Sequence, residues 1–219
     1  MTDVRARRTG RPPLTDRATL LAAARDIGFA DLTVGTVTAK VGVKYSTFYR
    51  HFASFEALLC AAVDDALAGA TFPEPAQPWQ EHLARTSAAV FDLLRRNPGL
   101  AQAVVALPER PDRLVTLFRQ ITEVLLEAGF DGKDSVLGAT GTLELGIMPW
   151  IDGPGPAPGG VAGPEQARVG PEPLDDRVRQ AIASCVEGPP RRWNADKVDL
   201  LVEGLEARLQ RDLTAADQT

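Results

Sequence analysis

Residues 33–52 read TVGTVTAKVGVKYSTFYRHF, and they gather the side chains best suited to holding a polyanion. Lys44 brings a cation, Tyr45, Ser46 and Thr47 bring hydroxyls, and the Thr47 methyl group suits thymine. Tyr49, Arg50 and His51 follow and suit phosphates on the flanks of such a contact. The same stretch carries the elements needed to aim these groups. Val34, Val37 and Val41 recur at i, i+3 and i+7, which predicts a short helix at about 36–41 entered through Thr33. Gly42 suits a left-handed turn and Val43 plugs the angle beyond it. A second short helix, at about 45–51, then turns Phe48 and Phe52 inward. Packed on a preceding amphipathic helix, this is a helix-turn-helix, whose second helix offers its N-terminal part to base edges in a major groove. Plainer roles stand beside these. Lys44 also reads as a solvated lysine, Tyr49 as a half-buried core residue, and His51 as a helix-end cation, while Thr33 is a further candidate DNA contact.

Charge is distributed to match. Residues 1–59 carry nine Lys/Arg against five Asp/Glu, whereas residues 60–219 carry 15 against 24. The overall net charge of −5 and pI near 5.1 therefore conceal a basic head on an acidic body. Arg5, Arg7, Arg8 and Arg11, ending at Thr9-Gly10-Arg11-Pro12-Pro13, are spaced like an arm that enters the minor groove beside a recognition helix, or like a solvated tail.

The chain that must position these residues reads as all-α, with nine or ten helices. A helix at about 15–27 carries Leu20, Leu21, Ala24 and Ile27, and Ser54 is a natural N-cap for 55–67. Helices follow at 78–96, 98–107, 111–128 and 134–148, the third with the cleanest apolar stripe. Residues 149–173 hold 7 Pro and 6 Gly and predict a loop. Helices at 175–187 and 195–213, the latter capped by Asn194, close the chain. Apolar residues make up 44% of the 219, enough for a core without a staple. The longest uncharged runs, 97–108 and 153–164, are too short to span a bilayer, and no apolar segment follows the basic start. Cys60 and Cys185 read as small buried hydrophobes, and a cytoplasmic location is expected.

Residues 14–63 resemble the DNA-binding head of the TetR (tetracycline-repressor-like) transcription regulators. The resemblance rests on IGFADLTVGTVTAKVGV, YSTFYRHF and Ser54-Phe55-Glu56-Ala57-Leu58-Leu59. Thr33, Gly42, Val43, Thr47, Phe48, Tyr49, His51, Phe52, Ser54, Glu56 and Leu58 match the family pattern. It implies DNA contacts at Tyr45, Ser46, Thr47, Tyr49 and His51. Two positions depart from it. Gly35 stands where the family often has a polar or basic contact, and Phe55 where a lysine is frequent. The resemblance further implies an arm at 1–13, a head at 14–68, and a body at 69–219 that binds a small-molecule effector and forms a homodimer.

Within that body, Trp79, His82, Phe91, Phe118, Glu123 and Trp150 are the candidate effector residues, with ordinary core or surface roles as the alternative. Val178, Ile182, Val198, Leu201, Val202, Leu205 and Leu209 are candidates for a dimer interface, or for ordinary core. Enzyme chemistry has little to stand on. Two histidines and two cysteines, widely spaced, make no zinc set, and neither a nucleophile elbow nor a phosphate-binding Gly-Lys-Ser/Thr loop occurs. The expected function is an effector-released repressor on a pseudo-palindromic DNA operator, with no metal or cofactor. The alternative is a helical ligand-binding or scaffold protein whose head does not read DNA.

Overall fold

The structure, a computed structural model, describes residues 15–151, 175–186 and 190–216. Among the described residues there are ten α-helices and no strand. They are α1 (Arg17–Ile27), α2 (Val34–Val41), α3 (Tyr45–Phe48), α4 (Phe55–Ala68), α5 (Trp79–Arg96), α6 (Leu100–Ala106), α7 (Asp112–Glu127), α8 (Gly132–Ile147), α9 (Asp176–Val186) and α10 (Pro190–Ala216). Single 3-10 turns occupy Phe29–Asp31 and Met148–Trp150.

Local chemistry sets most of the starts. The Asp16 carboxylate accepts from the Thr19 N–H at 2.7 Å, and hydrogen bonding from the Thr19 side chain, then from this N–H, holds its pKa below the usual carboxylate range. Thr33 and Thr36 form a reciprocal capping box at the start of α2. Ser54 accepts from the Ala57 N–H at 3.2 Å, and Asp131 from the Asp134 N–H at 2.7 Å. Gly42, at φ 73°, lets its own N–H and that of Val43 both return to the Thr38 carbonyl, at 2.9 and 3.0 Å.

One core runs from Leu20, Val37 and Phe48 through Val63 of α4 to Leu93, Leu100 and Leu125 of the body. α4 is the bridge, since it packs on α1 and also on α6 and α7. At the junction Gly99, φ 87°, presses its backbone against the turn after α1. A Cβ there would lie 2.7 Å from the Ala30 nitrogen and 2.9 Å from the Phe29 carbonyl carbon. In the body, α8 is a smooth rod between α5, α7 and α10. A Cβ on Gly138 would lie 2.7 Å from Leu125 Cδ1 and 3.1 Å from Leu205 Cδ1. One on Gly141 would lie 3.2 Å from Leu201, and one on Gly146 2.9 Å from Val90. Polar ties fasten α10 to this seam. The Asn194 amide donates to the Ser87 hydroxyl at 3.0 Å, Gln80 donates to Glu206 at 2.6 Å, and Arg208 meets Asp134 at 2.7 Å.

Three sequence expectations need correction. α10 starts at Pro190 rather than 195, so Asn194 is no cap but a buried residue inside the helix, bonded to α5. α3 is one turn long; residues 49–51 continue as turns that keep Phe52 beneath it. The expected loop from 149 begins with a 3-10 turn instead, anchored by Trp150, buried with its ring centre 5.2 Å from that of Phe91. Residues 152–174 lie outside the described residues. Cys60 is part-buried, and desolvation with nearby acids pushes its thiol pKa up; the Cys185 side chain lies outside the described residues. Among the described residues no helix is long and apolar enough to cross a membrane, and no His/Cys/Asp/Glu group would hold a metal ion.

Candidate nucleic-acid interface

α3 is held from below by aromatic packing. Phe48 and Phe52 are buried and stacked, ring centres 5.7 Å apart. The Arg17 guanidinium of α1 lies 4.1 Å over the Phe52 ring and donates to the His51 carbonyl at 3.2 Å. With that face fixed, Lys44, Tyr45, Ser46, Tyr49 and Arg50 point outward and are exposed, while Thr47 and His51 are half-buried. Tyr45 is 56% exposed and Tyr49 52%. Tyr49 is therefore no core residue, although its ring packs edge-on against Phe48.

The outward row is partly pre-wired. Arg50 Nη2 donates to the Thr47 hydroxyl at 3.0 Å and Nε to the Ser46 carbonyl at 3.3 Å. Arg50 thus lies back along α3, and it shares one network with Thr47. The Thr33 hydroxyl accepts from the Thr36 N–H at 3.0 Å, so it is committed to holding the start of α2. Arg7, Arg8 and Arg11 lie outside the described residues. Phe55 is part-buried against the core.

Other supports have no local signature in the sequence. Arg25 of α1 forks onto both oxygens of Asp65 of α4, at 2.8 and 2.7 Å, which fixes the helix beneath the helix-turn-helix. Tyr45 and Gly35 meet across α2 and α3.

The candidate effector residues are not drawn together as one set. Trp79 is buried with its ring 5.0 Å from Phe130, Phe91 pairs with Trp150, and Phe118 is half-buried. Glu123 is exposed and ion-paired with Arg119 at 2.7 Å, one turn back on α7, so it anchors nothing inside the body. His82 is buried, and neither ring nitrogen has a hydrogen-bond partner of good geometry. Burial pushes its pKa below the ordinary imidazole value; the nearby Glu74 backbone opposes this and Arg85 adds to it. Thr86, one turn further along α5, is buried with its hydroxyl unpartnered as well. Elsewhere, a cleft of about 430 Å³ opens where α1 and α4 meet the end of α5, lined by Leu21, Ala24, Phe29, Ala62 and Leu93, with Arg96 at its edge. None of the six candidates lines it.

The apolar stripe of α10 serves the protomer's own core. Val198 is 1% and Leu205 4% exposed, and Leu201, Val202 and Leu209 pack part-buried on the body. Gly138 and Gly141 leave the room into which Leu205 and Leu201 pack, and Val198 is buried as well. Val178 is exposed, and the Ile182 side chain lies outside the described residues. The large apolar side chains left exposed on these helices are Val136 and Leu137 of α8 and Leu200 and Leu213 of α10.

No protein-family model matches the sequence, and no curated protein matches it either. Solved structures do. The TetR-family protein ActR of Streptomyces coelicolor, in complex with (S)-DNPA, superimposes with TM-score 0.71 at 14% identity, over 89% of this chain and 98% of that one. BioQ with its double-stranded DNA operator gives TM-score 0.62 at 22% identity, over 88% and 99%. A TetR variant from Acinetobacter baumannii AYE with minocycline gives 0.61 at 18%, over 89% and 98%. The chain has the all-α fold of the TetR-family regulators.

Proposed function

We propose that this chain is a ligand-responsive DNA-binding regulator that acts as a homodimeric repressor in the cytoplasm. The observation that carries this reading is the exposed row from Lys44 to Arg50, held outward over buried Phe48 and Phe52 behind a glycine-turned α2. Solved neighbours of the same fold include one bound to its operator and others bound to small molecules, and they are regulators rather than enzymes.

Residues 14–68 serve as the reading head, residues 1–13 as an arm, and residues 69–219 as the effector and dimerisation body. Lys44, Tyr45, Ser46 and Thr47 meet base edges in the major groove. Tyr49, Arg50 and His51 grip flanking phosphates, Thr33 sets the approach of α2, and Arg7, Arg8 and Arg11 follow the minor groove. Buried His82, whose ring nitrogens lack a well-formed hydrogen bond, and the unpartnered Thr86 hydroxyl favour an effector site along α5, with Trp79, Phe91, Phe118 and Trp150 supplying apolar walls. Exposed Val136, Leu137 and Leu200 favour a dimer built on α8 and the outer face of α10. Two heads then span half-sites about 34–36 Å apart, and the effector favours a spacing that no longer fits both. By linkage, DNA weakens effector binding by the same factor.

Selection of genomic fragments with the purified full-length chain, followed by a salt titration on the recovered site, tests this. The expected result is one pseudo-palindromic site, bound two chains at a time, with affinity falling steeply with salt. Salt-sensitive retention with no enriched sequence overturns the repressor reading.

A further inference from the structure

Gly35 sits in the first turn of α2 with an ordinary helical φ, so its backbone does not require glycine. Alanine is the better helix former at such a position. What glycine provides there is space. A Cβ at position 35 would lie 2.9 Å from the Tyr45 phenol oxygen and 3.6 Å from Thr33 Oγ1. Tyr45 opens α3, and its phenol crosses back to the first turn of α2 through that gap. The side chain is 56% exposed, and its hydroxyl makes no hydrogen bond with any described residue. Among the described residues it is thus an uncommitted donor and acceptor beside the first turn of α2. The Thr47 hydroxyl, by contrast, is engaged by Arg50, and that of Thr33 by the cap.

We infer that Gly35 is a positioning residue for sequence recognition. The room left by its missing side chain lets the Tyr45 hydroxyl, rather than a side chain of α2, face a base edge at the α2–α3 junction. The inference rests on the DNA-reading function proposed above. It also gives the departure at position 35 a purpose, because the lost α2 side chain is replaced by a phenol from α3.

The atom that a Cβ would meet is the far end of a mobile side chain. Gly35→Ala therefore displaces the phenol without unfolding the head. The test uses the full chain and its selected operator, with a scrambled duplex of equal length as control. Gly35→Ala is expected to weaken operator binding about tenfold. Its affinity for the scrambled duplex and its salt slope hold, and its Tm does not fall. Tyr45→Phe is expected to give a similar loss, and the double variant Gly35→Ala/Tyr45→Phe no more than either alone. Multiplied losses in the double variant overturn the inference. So does equal weakening on both duplexes, an unchanged operator affinity, or a lower Tm for Gly35→Ala. A wild-type chain that selects no operator removes the DNA-reading function itself, and the inference with it.

Discussion

Asn194 of α10 donates its side-chain amide to the Ser87 hydroxyl of α5 at 3.0 Å, with both residues buried. A polar pair in that setting fixes the register of two helices, because sliding either one strands a donor without a partner. Asn194→Leu leaves the Ser87 hydroxyl unsatisfied and is expected to cost about 1–3 kcal/mol. Thermal denaturation reads this as a drop of several degrees, and an unchanged midpoint counts against the pair as a register lock.

α8 is a smooth rod, and Gly138 is its tightest point. Gly138→Ala drives a methyl group against Leu125 and Leu205 and is expected to destabilise by about 1–3 kcal/mol through overpacking. A stabilised variant, as helix propensity alone demands, would show that α10 rides loosely there.

Buried His82 makes stability depend on pH, and the sign follows from its lowered pKa. Above the ordinary value of 6.5 the ring is neutral in both folded and unfolded chains and contributes no pH dependence. As pH falls below 6.5, the unfolded chain takes up a proton that the buried ring refuses, so stability declines. His82→Gln is expected to flatten denaturant midpoints between about pH 7.5 and 5.5 relative to the wild type. Parallel curves for the two proteins would exclude His82 as the source.

Thr47 of α3 and Arg50 of the turn after it share one hydrogen bond, so their effects on operator binding should couple. Thr47→Ala is expected to lower operator affinity about five- to tenfold, with thermal stability retained, and to shrink the further loss from Arg50→Ala. Strict additivity in binding isotherms would separate the two residues.

Leu137 is 48% exposed on α8. In a homodimer joined through α8 and α10, Leu137→Glu is expected to shift the chain to a monomer in analytical ultracentrifugation and to abolish operator binding. A dimer that survives the charge uses another face.

The sequence exposes what acts within a few residues. The caps at Thr33 and Ser54, the turn at Gly42 and the inward Phe48 and Phe52 were legible because each forms with neighbours at most five positions away. The partners of Asn194, Arg208 and Arg25 lie 107, 74 and 40 positions off, and nothing local announces them. Asn194 was read as a cap for that reason. The Val198–Leu209 stripe teaches the same point differently. Periodicity shows that a face is apolar, but only the glycines of α8 decide that it is covered from within. Glu123 matched the type expected of a pocket anchor, yet a neighbour on its own helix claimed it.

At Gly99 the body meets the turn after α1 backbone to backbone, with no side chain between them. Side chains elsewhere act as cushions that absorb a small displacement by changing rotamer. This contact has none, so it behaves as a bare fulcrum. Any side chain at position 99 would have to part α6 from Ala30, because the gap between the two backbones holds no more than a hydrogen atom.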